Sequence, residues 1–402
     1  MAATVSEANA SALSRMGRAE PILVGVERAA DALKLGGGEL GHAGPPFADT
    51  ASIPPPVLNA MAGAVVHEGW AGTMDEARAS VLDGRIRLRP NHDLGTVSPM
   101  AGVVRPSQSV MRIENRCGSG TTYATLAEGG RRVLRFGVYD TGVAEGLRWL
   151  DTTLGPSLGR ALPAGGLPIL PLVAAGVAMG DDVHQRNFGG MMGLIRALPD
   201  LDSGIRTWLF NNPQHFLNYA MAAAKLALGC AEGVAGSSIV TAISRNGVEC
   251  GVRLAGTGSR WFTAPAIVPR GGFFAPFGLA DAQADLGDSA IVEAYGLGGA
   301  LAHAAPEMAR AMGRPWSEAV EAGHAMRGLF AARHPTIAPV LSGEAGVGLG
   351  LDAARVVSAG RPVRIHTGIA HRDGETGWIG VGIAEAPVAC FEAALAALED
   401  AG

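Results

Sequence analysis

The sequence predicts a multi-domain protein of mixed α/β and α+β class: an N-terminal α/β unit with a mixed sheet, a helical middle segment, and a C-terminal α+β part built on hairpins. Three observations predict it. The length of 402 residues exceeds the roughly 250 to 300 residues at which one hydrophobic core stops growing. Apolar residues make up 48% and charged residues 17%, enough to bury a sizeable core and too few charges for a disordered chain. The apolar pattern also changes along the chain, from short β-rich runs to helical periodicity and back to alternating strands. The expected division is a flexible N-terminus over 1–20, an α/β domain over 21–141, a helical segment over 142–232 and an α+β domain over 233–402.

PILVGVERAADAL (21–33) is a β-branched run followed by a helix-like stretch, as in a strand feeding a crossover helix. It lacks G-x-G-x-x-G spacing, so a dinucleotide site is not signalled. LGGGELGHAGPPFADT (35–50) is too rich in Gly and Pro for a helix. Its backbone N–H groups suit either a binding loop around His42 or a plain connector. PPPVLNAMAGAVVHEGWA (54–71) reads as a Pro-started helix, and TMDEARASVLDG (73–84) as a second one, capped by Thr73 and ended by Gly84.

Residues 85–140 read as a mixed sheet with polar loops, in which His92, Glu128 and Arg135 are the ionisable groups of interest. From 142 to 231 the pattern is helical, interrupted by DDVHQRN (181–187) and NNPQHFLN (211–218). A helix would set Asp181 beside His184, and Asn211, His215 and Asn218 along one stripe; capping and a solvated face are the alternative.

SSIVTAISRNGVECGVRLAGTG (237–258) predicts a hairpin, since Asn-Gly between alternating apolar runs sets a tight turn. Arg260–Phe277 is dense in Pro and aromatics without periodicity, and predicts a buried loop or the wall of a cavity. In ADLGDSAIVEAYGLGG (284–299), Asp288 or Ser289 can cap a helix. The tail reads as a hairpin followed by a helix.

Several function classes are excluded by composition. A net charge of −5 with no basic block argues against nucleic acid and against anionic membranes. The four Cys are scattered, with no Cys-x-x-Cys pair, so neither a disulfide framework nor a zinc site is expected, and no metal or cofactor is called for. There is no apolar segment resembling a leader or a spanning helix, so the expected location is the cytoplasm. Glycine, at 58 residues, is about twice the usual share of roughly 7%. No P-loop, nucleophile elbow or HExxH is present.

HAGPP (42–46), SPMAGV (98–103), EGGRRVLRFG (128–137), MGDDVHQRN (179–187), HFLNYAMAAAK (215–225), GSSIVTAISRNG (236–247), RWFTAPA (260–266), GDSAI (287–291) and GWIGVGIAEAPVACFEAAL (377–395) occur together. On these stretches the chain resembles the oxamate carbamoyltransferase large-subunit-like family, a former domain of unknown function associated with allantoin degradation. The resemblance runs from about residue 20 to the C-terminus.

The resemblance implies carbamoyl transfer between carbamoyl phosphate and a small amide such as oxamate, in a homo-oligomer or with other carbamoyltransferase subunits. An amide or ureide hydrolase, or a non-catalytic supporting subunit, is the alternative. Such chemistry needs anion binding, donors for the carbamoyl oxygen and a proton-transfer group. The expected anion-binding residues are Arg135 and Arg245. Asn212, Asn218 and Asn246 would orient the amide. Glu128, Arg186, Asn187 and Asp288 complete the substrate-binding set, and His42, His92 and His184 compete for proton transfer.

Overall fold

The computed structural model describes residues 4–340 and 346–400. Its centre is the helix Leu217–Gly229, in which every residue from Leu217 to Leu228 is buried. The run Ala220-Met221-Ala222-Ala223-Ala224 gives this helix small side chains all round, so sheets can approach it closely. On one side lies a five-stranded sheet, ordered Thr96–Val97, Thr121–Thr125, Ser109–Asn115, Pro21–Arg28, Leu167–Pro168. On another lies the strand Val240–Asn246 of a four-stranded sheet. Most of the buried apolar residues form one cluster reaching from Ala8 to Leu398, so the segments expected from the sequence share a main core, with smaller clusters beside it.

The N-terminal sheet is mixed, with one parallel pair among antiparallel neighbours. Pro21–Arg28 is followed by a short helix, Ala29–Leu33, as expected. That helix is not a crossover, because Pro21–Arg28 pairs antiparallel on both edges. The parallel crossover lies elsewhere. Strands Glu39–His42 and Arg87–Pro90 pair in parallel, with helices Pro55–His67 and Met74–Leu82 between them in the chain. Thr73 and Glu76 form the capping box of the second helix, and Gly84 follows it at φ 76°.

Two expectations need correction. The expected flexible N-terminus over 1–20 contains a helix, Val5–Gly17, whose Ala8, Ala12 and Met16 are buried. The spacing of four puts these residues on one stripe. Asn9 fastens the stripe to the body, accepting from Ser237 Oγ and Ser238 N and donating to Ser238 Oγ at 2.9 Å. Nor is Arg260–Phe277 wholly irregular. It contains strands Phe262–Pro265 and Arg270–Phe273, each at the edge of its sheet, where a Pro costs no ladder bond.

The 237–258 segment forms the expected hairpin, Val240–Asn246 with Glu249–Leu254. Its tip is structural. Asn246 Oδ1 accepts from the backbone N–H of Val248 and Glu249, and its Nδ2 donates to Pro45 O. Arg245, expected to bind an anion, is fully buried and paired with Asp285 at 2.7 Å, and it also donates to Gly287 O. Asp288 caps no helix. It accepts from Gly44 N, Ser98 N, Asn91 Nδ2 and Ser244 Oγ, tying two loops and the hairpin to one carboxylate. The HAGPP loop thereby spends the Gly44 amide internally. At φ 91°, Gly44 has no room for a Cβ, which would stand 2.5 Å from Asn246.

Breaking a buried pair leaves an uncompensated charge. Arg245→Ala is therefore expected to lower the stability of the chain by about 3–5 kcal/mol, read from its urea midpoint. An unchanged midpoint would return Arg245 to the list of ligand-binding groups.

Candidate active site

The site grows from the turn Gly180–Asn187. Gly180, at φ 85°, ends the helix Leu170–Ala178. Asp181 accepts from the N–H groups of Phe188 and Gly190 at the start of the next helix, and burial pushes its carboxyl up to about 6. Asp182 turns the other way, and its Oδ1 accepts from His184 N, Gln185 N and Arg186 N at 3.1, 2.9 and 2.7 Å. Its Oδ2 meets His366 Nδ1 at 2.6 Å. Burial opposes ionisation of Asp182, but His366 and the backbone amides outweigh it and hold the carboxyl below its ordinary range.

This clamp presents His184. Glu293 holds its Nδ1 at 2.8 and 3.0 Å through the two carboxylate oxygens. Glu293 Oε1 also accepts from His366 N and Gly299 N. With Nδ1 committed to a carboxylate, Nε2 is the nitrogen left for chemistry. Val183, immediately before, sits at φ 62°, a left-handed conformation that costs a β-branched residue about 1–3 kcal/mol. Across the cavity Met100 sits at φ 58°.

Arg135 faces His184 in a cavity of about 20 Å³, which Gln185, Gln214, Ser289 and Trp378 also line. That volume holds about one water molecule. Gln214 is fixed by Asn187 and by the His184 carbonyl, to which it donates at 2.6 Å. Trp378 stacks with Phe136 at 6.0 Å and meets Phe274 edge-on at 5.2 Å. Through Phe274 the aromatic segment backs the cavity's wall and does not line it.

Arg135 also lines a second cavity of about 20 Å³ with Ser98, Arg105, Gln108, Thr125 and Glu128. Its Nε lies 3.9 Å from Glu128 and has no hydrogen-bond partner. Burial lowers the guanidinium's pKa and raises that of Glu128, each against the other's charge. The neighbouring Arg105, by contrast, is neutralised by Asp151 at 2.5 Å and Glu68 at 3.5 Å.

Of the expected residues, the structure brings together Arg135, His184 and Glu128, with Asn187 behind them. Asn212 donates to Trp208 O and packs on Gly129. Asn218 donates to His215 O and does not line the cavity. Arg186 pairs with Asp181. Arg245, Asn246 and Asp288 are held in the framework described above. His42 and His92 are not at the site. His42 packs on Phe47 with its Nδ1 against Ala43 O, and His92 lies edge-on to Trp261 with neither ring nitrogen hydrogen-bonded.

Sequence reasoning missed Asp182, Gln185, Gln214, Ser289, Glu293, His366 and Trp378. Glu293 alone left a clear signal, an acid inside the apolar run Ile291-Val292-Glu293-Ala294. Among the described residues no group of three or more His, Cys, Asp or Glu side chains is placed to hold a metal.

Comparison with known proteins bears on this geometry. Residues 86–289 match the family described as oxamate carbamoyltransferase subunit AllG. The protein of that name from Escherichia coli (strain K12) is 37% identical, over 100% of this chain and 99% of its own. The chain belongs to the oxamate carbamoyltransferase subunit AllG family. The uncharacterized protein YahG of Escherichia coli (strain K12) is 33% identical over 98% of this chain and 86% of its own. The crystal structure of a conserved protein of unknown function from Enterococcus faecalis V583 superposes with a TM-score of 0.93 at 33% identity, covering 98% of both chains. This AllG-family chain therefore shares its whole fold with a solved relative.

Buried imidazoles set a pH dependence. Burial pushes His42, His67, His215, His303 and His334 from 6.5 down to about 4. Below pH 6.5 the unfolded chain takes protons that the folded chain refuses until about 4, so stability falls as pH drops through that window. Asp181, raised to about 6, works in the opposite sense, as do Glu128 and Asp288, which burial also raises; His92, which burial pushes well below its ordinary value, joins the five imidazoles and keeps them in the majority. The melting temperature is expected to decline between pH 6.5 and 4, and less steeply in His42→Gln. A flat profile would contradict neutral, buried imidazoles.

Proposed function

We propose that this AllG-family chain carries a carbamoyl-transfer site, with carbamoyl phosphate as donor and a small amide such as oxamate as acceptor. It would work within a larger assembly, as the word subunit in its relative's name suggests. The observation that carries the reading is Arg135. Among the described residues its guanidinium donates no hydrogen bond, although it is largely buried and stands between two small cavities. A buried cation left this way is expensive in a structural role and suited to binding an anion.

In the proposed reaction the amide nitrogen attacks the carbamoyl carbon. An N–C bond forms, the C–O bond to phosphate breaks, and its electron pair leaves on the phosphate oxygen. Arg135 binds that anion and offsets its growing charge. His184 delivers a proton to the leaving oxygen from Nε2, while Glu293 orients the ring and stabilises the imidazolium. Trp378 and Phe136 keep water from the carbamoyl group. Cavities of one-water size require the substrate to enter by displacing the segment Glu128–Arg132. This segment rests on the surface through Arg131 over Phe274 and Arg132 on Glu375 O.

The test is phosphate release from carbamoyl phosphate by the chain purified with its co-expressed partners. Phosphate release that depends on added oxamate supports transfer. Breakdown of a ureide without acceptor would replace it with hydrolysis. Arg135→Met is expected to lower kcat/KM by about 10²-fold or more while leaving the melting temperature unchanged or higher, because a neutral side chain of similar length ends the burial of charge. Full activity in Arg135→Met would sink the reading.

A further inference from the structure

The cavity on the far side of Arg135 has the complement of groups that a primary amide needs. Glu128 enters it with a carboxylate to which, among the described residues, no side chain donates a hydrogen bond, and its counter-charge is 3.9 Å away. Gln108 enters it too. Its Oε1 accepts from Arg105 N at 3.3 Å, which leaves the amide NH₂ as its free end. A carboxylate acceptor and an amide donor in one polar pocket match the N–H and C=O of a planar amide. The remaining polar wall is self-satisfied, since Ser98 Oγ and Thr125 Oγ1 bond each other at 2.8 Å. Arg105 is already matched by two carboxylates, so the pocket offers no second vacant cation and does not call for a second phosphate.

We propose that this cavity is the acceptor subsite: it takes a primary amide, Glu128 is the base that removes the amide proton, and Gln108 holds the amide oxygen. The proposal rests on the reading of Arg135 and His184 as a carbamoyl-transfer site. Donor and acceptor then meet across one guanidinium, the donor on the His184 side and the amide on the Glu128 side. The step balances. The amide N–H proton passes to Glu128, the N–C bond forms, the C–O bond breaks, and the departing phosphate oxygen takes its proton from His184. Two groups carry the two protons, and solvent resets both after product leaves. Burial raises the Glu128 carboxyl toward neutrality, which improves it as a base.

Calorimetric titration of the full chain, with its co-purified partners, separates the claims when oxamate and inorganic phosphate are used as probes. Glu128→Ala is expected to weaken oxamate roughly tenfold or more, and to leave phosphate within about twofold. Glu128→Gln, which keeps a hydrogen-bonding oxygen, is expected to hold oxamate within about threefold and to lower kcat about 10²-fold with little change in KM. Its melting temperature shows that it folds. Oxamate binding and turnover that survive both substitutions would overturn the subsite. A parallel loss of phosphate would also overturn it, reducing Glu128 to a prop for Arg135. If phosphate binding instead survives Arg135→Ala, the failure lies in the reading of Arg135. If the unaltered chain binds neither probe, both ideas fall together.

Discussion

A carboxylate taken out of water must collect donors, and this fold is organised around four that do. Asp285 takes Arg245, Asp288 takes two backbone amides and two side chains, Asp182 takes three backbone amides and His366, and Glu293 takes His184 and two amides. Each joins segments far apart in the chain. Uncompensated, any of them would cost several kcal/mol, so the backbone is held wherever they need it. That constraint explains how Val183 and Met100 keep left-handed conformations at the cavity, since strain persists only where surrounding contacts over-determine the geometry.

Against that background Arg135 stands apart from the carboxylates. The same interior that satisfies its carboxylates leaves this guanidinium without a hydrogen bond and with Glu128 at 3.9 Å. Stability would be served by a tighter pair or by an apolar side chain. A largely buried guanidinium left so between two small cavities and beside an oriented imidazole has the character of a binding site. The small cavities further imply that binding and opening are one event. The segment in front of Arg135 is attached by an arginine–aromatic stack and a few hydrogen bonds, weaker fastenings than those behind it.

The sequence made the local elements legible where one signal dominates. Asn246-Gly247 between alternating apolar runs set the hairpin, and Thr73 with Gly84 bounded a helix. The N-terminal helix was missed because its only apolar stripe is two alanines and a methionine, too weak a signal without the surface it covers. In the site, Arg135 and His184 stood out as ionisable residues in polar loops within family-like stretches. Arg245 stood out on the same grounds and proved to be a buried staple, because nothing local reveals Asp285 forty residues away. His42 and His92 failed likewise: a histidine in a Gly- or Asn-rich loop looks the same whether the loop faces solvent or the core. Asp182 and His366 are 184 residues apart, and only the folded chain makes them neighbours.

The most direct measurement is a crystal structure of the chain soaked with phosphate and oxamate together. The account predicts an anion on the Arg135 guanidinium within hydrogen-bond reach of His184 Nε2, with the amide against Glu128 and the Glu128–Arg132 segment moved outward. Ligands bound elsewhere, with Arg135 still unpartnered and its two cavities closed, would contradict it.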